Sequence, residues 1–232
     1  MHAVEASSFA VRIAGRITNR KALGTTLAQT IYTFSRFFLI LFLPSLGFIV
    51  ESGVELNKYF IIVSITFFLT FLVTIFIITK INSIQRFYQV LFHQYQSNTI
   101  PIALLKTISA SKSNLNLENF ADFSFDKLII KKTFVSCLAY IFLSSGFFLA
   151  FMLAVLFPEN RLTLSQFTAL FHGFGAIIFS FYLDPMLSRS IDLDYEDSIW
   201  VKNIYSILIG RALSYLLMLF IFLILIFVNS IW

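Results

Sequence analysis

Residues 59–79 read YFIIVSITFFLTFLVTIFIIT, without one charged side chain. A helix rises about 1.5 Å per residue, so this run can cross a hydrocarbon core of about 30 Å. The other backbone that satisfies itself in lipid, a closed barrel, alternates apolar and polar residues in short strands, whereas this run is continuous. It predicts a transmembrane helix.

Similar runs recur at about 133–157, ending at Pro158, and at about 162–183, carrying Gln166, His172, Gly173 and Gly175 and stopping at the pair Asp184 and Pro185. Two more cover about 203–228, holding Arg211, and about 26–50, holding Arg36 and the helix breakers Pro44 and Gly47. A central arginine costs about 2.5 to 3.5 kcal/mol, and each Leu, Ile, Phe or Val returns about 0.3 to 0.6, so segments this apolar still insert. The first fifteen residues (MHAVEASSFAVRIAG) are too short to span and lack the basic start and long apolar stretch of a signal peptide. They read as half a helix, the remainder of a sixth span. The expected fold class is therefore all-α, a polytopic helical membrane bundle of about six spans with the first truncated at Met1, in a single integral membrane domain over 1–232. A content of 58% hydrophobic and 12% charged residues excludes a soluble globular enzyme.

Basic residues should gather in cytoplasmic loops. Placing Arg16, Arg20 and Lys21 inside puts Lys80, Arg86, Lys106, Lys112, Lys127, Lys131 and Lys132 on the same side, with Arg189 and Lys202, and leaves only Lys58 and Arg161 outside. Both termini are then expected outside and residues 80–132 in the cytoplasm. The net charge of +5 is explained by this asymmetry, so no nucleic-acid partner is implied. Within 80–132, Ile84, Phe87, Tyr88, Leu91, Phe92 and Tyr95 repeat at helical spacing and predict an amphipathic helix with one face at the interface. The stretch SASKSNLNLEN at 109–119 reads as a flexible break.

Ionisable residues inside spans are costly and point to function by default. At about 100° per residue, Glu5, Ser8, Arg12 and Arg16 share one face, and Thr26, Gln29, Thr33 and Arg36 another. Ser165, Thr168, His172 and Gly175 form a third stripe, and Asn203, Gly210, Arg211 and Ser214 a fourth. Together they suggest a shared polar cavity. Arg16 suits a snorkelling anchor, and Arg12 with Glu5 suits either a structural ion pair or ligand binding. Arg36 sits far from both ends of its span with no carboxylate on its own helix, which favours a functional role. Snorkelling or helix packing serves Arg211 as well as function does. A lone mid-span His172 suits packing or a proton relay, and Asp184 a helix boundary.

Catalytic chemistry has little to draw on. The sequence shows no glycine-rich phosphate loop, zinc motif or nucleophile with its base, and its one cysteine, Cys137, lies in an apolar run, so there is no thiolate cluster or disulfide framework. The acidic group Asp192, Asp194, Glu196 and Asp197 lacks a histidine companion and reads as a solvated loop rather than a metal site. No cofactor or metal is expected. Several arginines with few compensating acids suit a phosphate or pyrophosphate head group.

The N-terminal residues carry a more specific signal: His2 and Glu5, then Val11-Arg12-Ile13-Ala14-Gly15, Thr18, Arg20 and Lys21, followed by Ser35-Arg36 and Pro44-x-x-Gly47. With Asp184-Pro185, the acidic loop containing Asp192, and Arg211 in the last helix, this resembles the Amj family of bacterial lipid II flippases. Ser7, Ser8 and Phe9 depart from that pattern. The resemblance implies a lipid transporter rather than an enzyme, in the bacterial cytoplasmic membrane, moving undecaprenyl-pyrophosphate-linked peptidoglycan precursor between leaflets. It places Arg12 and Arg36 on the pyrophosphate, with Arg211 and Glu5 as further substrate-binding candidates, and Glu5, His172 and Asp184 as the positions for proton linkage. Membrane lipid and the lipid-linked substrate are the implied partners, and the small bundle leaves room for a homodimer. A flippase for another undecaprenyl-linked glycan and a non-transporting envelope scaffold are the alternatives.

Overall fold

The structure, a computed structural model, describes residues 1–109, 128–193 and 196–231, and among them there is no strand. The helices are α1 (His2–Ile17), α2 (Lys21–Ser35), α3 (Phe37–Glu51), α4 (Leu56–Thr79), α5 (Ile81–Gln94), α6 (Ile100–Ser109), α7 (Ile130–Leu156), α8 (Arg161–Ser165), α9 (Phe167–Ile178), α10 (Asp184–Asp192) and α11 (Asp197–Ile231). Five stretches are long and apolar enough to cross a membrane: Lys21–Glu51, Leu56–Thr79, Ile130–Leu156, Pro158–Asp192 and Ile199–Ile231. Four coincide with apolar runs of the sequence to within about a turn and a half, and the fifth, Pro158–Asp192, runs nine residues past the end of its run. With 16 residues, α1 extends about 24 Å, less than a crossing needs. The segment 110–127, which holds most of the Asn/Ser stretch, lies outside the described residues.

Two boundaries differ from those the sequence suggests. Pro44 does not end its helix; it lies inside α3, which continues to Glu51. The interruption falls at Arg36, where the backbone N–H turns to the Thr33 carbonyl at 3.0 Å, an i−3 bond that tightens the turn between α2 and α3. Nor does the helix stop at Asp184. Residues Phe179–Leu183 form a π turn that leads directly into α10, whose first turn holds Pro185. A proline is tolerated there because first-turn N–H groups have no partner within the helix.

The chain divides into two compact units. The first comprises Met1–Phe37 and the described part of Phe76–Asp122. Its centre is the antiparallel pair α1 and α2, joined by a turn in which Asn19 takes a left-handed φ of 54°. Asparagine tolerates that conformation better than most residues. Just beyond the turn the two backbones nearly touch: a Cβ on Gly15 would lie 2.6 Å from the Gly24 Cα. Val11, Ala14, Ala28 and Phe92 form the core beside this contact, with Leu23, Leu27, Ile31 and Tyr88 packed around it.

Helix α5 packs on α1, and Arg20 donates to the Phe92 carbonyl in its last turn. Against the protein it buries only part of the predicted stripe, Leu91 and Phe92, with Tyr88 packed beside them. Tyr95 is exposed and Ile84 and Phe87 are half-buried, whereas Gln85 and Gln89 are buried with Ile81, Val90, Leu91 and Phe92. The two glutamines satisfy each other, Gln89 donating to the Gln85 side-chain oxygen at 2.7 Å, so their burial leaves that donor and acceptor paired.

The second unit comprises Phe38–Ile75 and the described part of Phe123–Trp232. Here α7 packs against both α9 and α11. Glycines set those contacts: a Cβ on Gly146 would meet the Phe171 Cβ at 2.7 Å, one on Gly175 the Ala139 carbonyl at 2.7 Å, and one on Gly210 the Ser136 Cβ at 2.7 Å. Close approach through small residues is how helices associate where lipid supplies no hydrophobic drive. The Tyr59 hydroxyl of α4 donates to the Phe148 carbonyl at 2.7 Å, and Phe67 packs between Phe148 and Phe222 with ring centroids 5.2 and 6.0 Å away.

Candidate functional site

In the first unit the buried carboxylate is Glu5, 5% exposed in the first turn of α1. A charge withdrawn from water needs partners. Ser35 Oγ, at the end of α2, lies 2.6 Å from the Tyr32 carbonyl one turn back and 3.1 Å from one Glu5 oxygen, so its single proton is shared between the two acceptors, and His2 Nδ1 lies 3.4 Å from the other Glu5 oxygen. The antiparallel α1–α2 pair produces the contact of Ser35 with Glu5 by bringing the start of one helix to the end of the other.

Arg36 follows Ser35 immediately and is half-buried. Its Nη2 donates to the Tyr32 hydroxyl at 2.7 Å, and its guanidinium carbon lies 4.9 Å from the centre of the Tyr32 ring. A hydrogen bond and a cation–π contact therefore hold the cation to a residue one turn back on α2. Arg12 is also half-buried, on α1. The remaining members of the α2 stripe, Thr26, Gln29 and Thr33, are exposed, while Gly24, Ala28 and Ser35 form the buried side.

Outside the candidate spans, the Tyr88 phenol of α5 has its pKa pushed up by burial, partly offset by a hydrogen bond with Ser7.

In the second unit Arg211 is fully buried. Its Nε donates to the Tyr215 hydroxyl at 2.8 Å, and its Nη1 makes a longer contact of 3.4 Å with the Tyr140 hydroxyl. The guanidinium carbon lies 4.5 Å from the Tyr140 ring centre and 5.8 Å from that of Tyr215. Snorkelling is therefore not its arrangement; it is a cation caged between α7 and α11. Neighbouring polar contacts continue the seam, with the Lys132 ammonium donating to the Asn203 side-chain oxygen at 2.5 Å and the Ser136 hydroxyl to the Ile207 carbonyl at 2.8 Å.

His172 sits on the side of α9 that packs on α7, its Nδ1 3.1 Å from the Leu143 carbonyl and its ring 5.0 Å from that of Phe147. Gly175 shares that contact, but a Cβ on Gly173 would meet nothing within 4 Å, so Gly173 is no close-packing point. Asp184 is half-buried where the π turn enters α10. Of the acidic group, Asp194 and the side chain of Asp197 lie outside the described residues, and among the described residues no three His, Cys, Asp or Glu side chains come together as a metal site.

Sequence reasoning missed Tyr32, Tyr140 and Tyr215. Two of them were signalled: Tyr32 stands four residues before Arg36, and Tyr215 four after Arg211, the spacing that stacks side chains on one helix face.

Fold and site together define a polytopic helical membrane protein that holds Arg36 and Arg211 with tyrosines and buries Glu5 beside Ser35. The chain belongs to the Amj family, described as Alternate to MurJ, whose model matches residues 1–223. No curated protein and no solved structure matches the chain.

Proposed function

We propose that this protein is a lipid II flippase of the bacterial cytoplasmic membrane, carrying undecaprenyl-pyrophosphate-linked peptidoglycan precursor from the inner to the outer leaflet. The family match over residues 1–223 carries this reading, since the family is described as an alternate to MurJ. In the proposed mechanism Arg36 and Arg12 grip the pyrophosphate in a hydrated cavity that opens alternately to each side, while the polyprenyl tail stays in lipid. A guanidinium suits that task because its planar fork presents N–H donors in pairs to phosphate oxygens and keeps its charge at any physiological pH.

The half-buried position of Arg36, aimed by Tyr32, supports its place in the path. Glu5 is the counter-charge of that end of the bundle, and proton linkage is assigned to Glu5, His172 and Asp184. Arg211 is caged so completely that α7 and α11 must part before it meets a ligand, which suits a role in holding those helices together.

Complementation of cells depleted of their own lipid II flippase tests the reading. Growth restored by the intact chain, and not by Arg36→Ala at equal membrane abundance, is the expected result. Failure of the intact chain at good membrane levels overturns it. A lower abundance of Arg36→Ala with full activity per molecule would instead make the arginine a packing residue.

A further inference from the structure

Helix α6 leaves its apolar side uncovered. Of its ten residues only Ala103 and Thr107 are buried, and α5 is the helix packed against it. At about 100° per residue, Leu105 and Ile108 fall opposite that pair, and they are 68% and 65% exposed. Ile102 and Leu104 flank them, also exposed. The ten described residues extend about 15 Å, half of a hydrocarbon core, and the sequence that follows, SASKSNLNLEN at 109–119, is too polar to complete a crossing.

The surroundings of α6 say what covers it. One residue, Lys80, separates the membrane-crossing candidate α4 from α5, so the α5–α6 pair starts at the end of a span. From residue 80 to residue 117 the chain contains no Asp or Glu, yet it carries Lys80, Arg86, Lys106 and Lys112. Lys106 stands at the edge of the apolar face, its ammonium donating to the Asn98 side-chain oxygen at 2.7 Å. An apolar helix face edged by Lys106, in a stretch of sequence that is basic and free of acids, matches the boundary between acyl chains and anionic head groups. The neighbouring α5 has less apolar surface to offer, because Ile81, Val90, Leu91 and Phe92 are buried and Ile84 and Phe87 half-buried.

We infer that α6 lies flat in the head-group layer of an anionic leaflet, with Leu105 and Ile108 turned into the acyl boundary. The bilayer thus supports the first unit through α6 more than through α5, whatever the transported substrate.

Site-directed spin labelling of the full chain tests this. In a Cys137→Ala background, single cysteines replace Leu105, Ile108 and, as an aqueous control, the exposed Gln96. The labelled proteins are reconstituted into vesicles of phosphatidylcholine with phosphatidylglycerol. Labels at 105 and 108 should collide with oxygen severalfold more than with a water-soluble nickel chelate, and the label at 96 should show the reverse. Omitting phosphatidylglycerol should make the labels at 105 and 108 shallower. A preference for nickel at 105 and 108 overturns the proposal by placing α6 in water, and protection from both reagents overturns it by placing protein over the helix. Unchanged depth without phosphatidylglycerol overturns the assignment to an anionic leaflet.

Discussion

The Ser35 hydroxyl at the end of α2 stands 3.1 Å from the buried carboxylate of Glu5 at the start of α1, thirty positions away in the chain, and shares its one proton between that oxygen and the Tyr32 carbonyl at 2.6 Å. Ser35 is itself fully buried. Its replacement by alanine removes a polar neighbour from both Glu5 and the Tyr32 carbonyl; because one proton serves the two, the loss is that of a single hydrogen bond, about 1 kcal/mol. The thermal unfolding midpoint of the purified Ser35→Ala protein in detergent is expected to fall. Replacing Glu5 by Gln in the same background should recover part of the loss, because a neutral amide needs its donor less than a carboxylate does.

Gly15 and Gly24 face each other so closely that neither can gain a methyl group without moving backbone. Overpacking of this kind costs about 1 to 3 kcal/mol. Gly15→Ala and Gly24→Ala should each lower the yield of folded protein and its resistance to heat. Gly173→Ala is the control, since a Cβ there meets nothing within 4 Å. Equal stability of all three variants would contradict the close approach of α1 and α2.

The two tyrosines around Arg211 are expected to differ. Tyr215→Phe removes a hydroxyl that accepts a 2.8 Å hydrogen bond from a buried cation, which is worth about 1.5 to 3 kcal/mol. Tyr140→Phe removes a contact of 3.4 Å and keeps the ring that lies 4.5 Å below the guanidinium, so it should cost less than about 1 kcal/mol. Unfolding midpoints of the two variants therefore fall in the order Tyr215→Phe below Tyr140→Phe. The opposite order would show that the ring contact is not what holds the cation to α7.

Hydropathy and side-chain pairing were unequally legible in the chain. The spans were plain because a bilayer demands uninterrupted apolar length, and residues 59–79 admit no other reading. The burial of Gln85 and Gln89 on α5 was not legible, because periodicity counts apolar residues, whereas these two are buried with Gln89 hydrogen-bonded to Gln85. Arg36 and Arg211 were found from their cost in lipid, but a search for carboxylate partners passed over tyrosines. Of those, Tyr32 and Tyr215 were visible at a spacing of four. Tyr140 was not, since its contact with Arg211 depends on how α7 packs against α11. The continuation of the helix through Asp184 was hidden too, because the sequence marks a proline and not the π turn before it.

Burial of Tyr88 links the first unit to alkaline pH. The folded-state phenol pKa lies above its unfolded value, which is about 10, so the folded chain holds this proton more tightly than the unfolded one. The contribution to stability is complete below the unfolded value and is lost as pH rises through the folded one. Unfolding midpoints measured across that window should decline more steeply for the native protein than for Tyr88→Phe. Parallel declines would mean that the phenol is solvated.

Arg36 and Tyr32 give the sharpest test of transport. Arg36→Lys keeps the charge and loses the planar fork, so translocation of lipid II in proteoliposomes should fall about as far as for Arg36→Ala if the fork grips pyrophosphate. Tyr32→Phe keeps the ring 4.9 Å from the guanidinium and removes only the hydroxyl at 2.7 Å, so the cation stays in place with one tether fewer. Its expected effect is intermediate: transport reduced, with protein abundance unchanged. Full transport by Arg36→Lys would show that a positive charge suffices at position 36 and that no guanidinium fork is used there. Repeating the assay with Arg12→Lys then decides whether the Arg12 guanidinium is used as one.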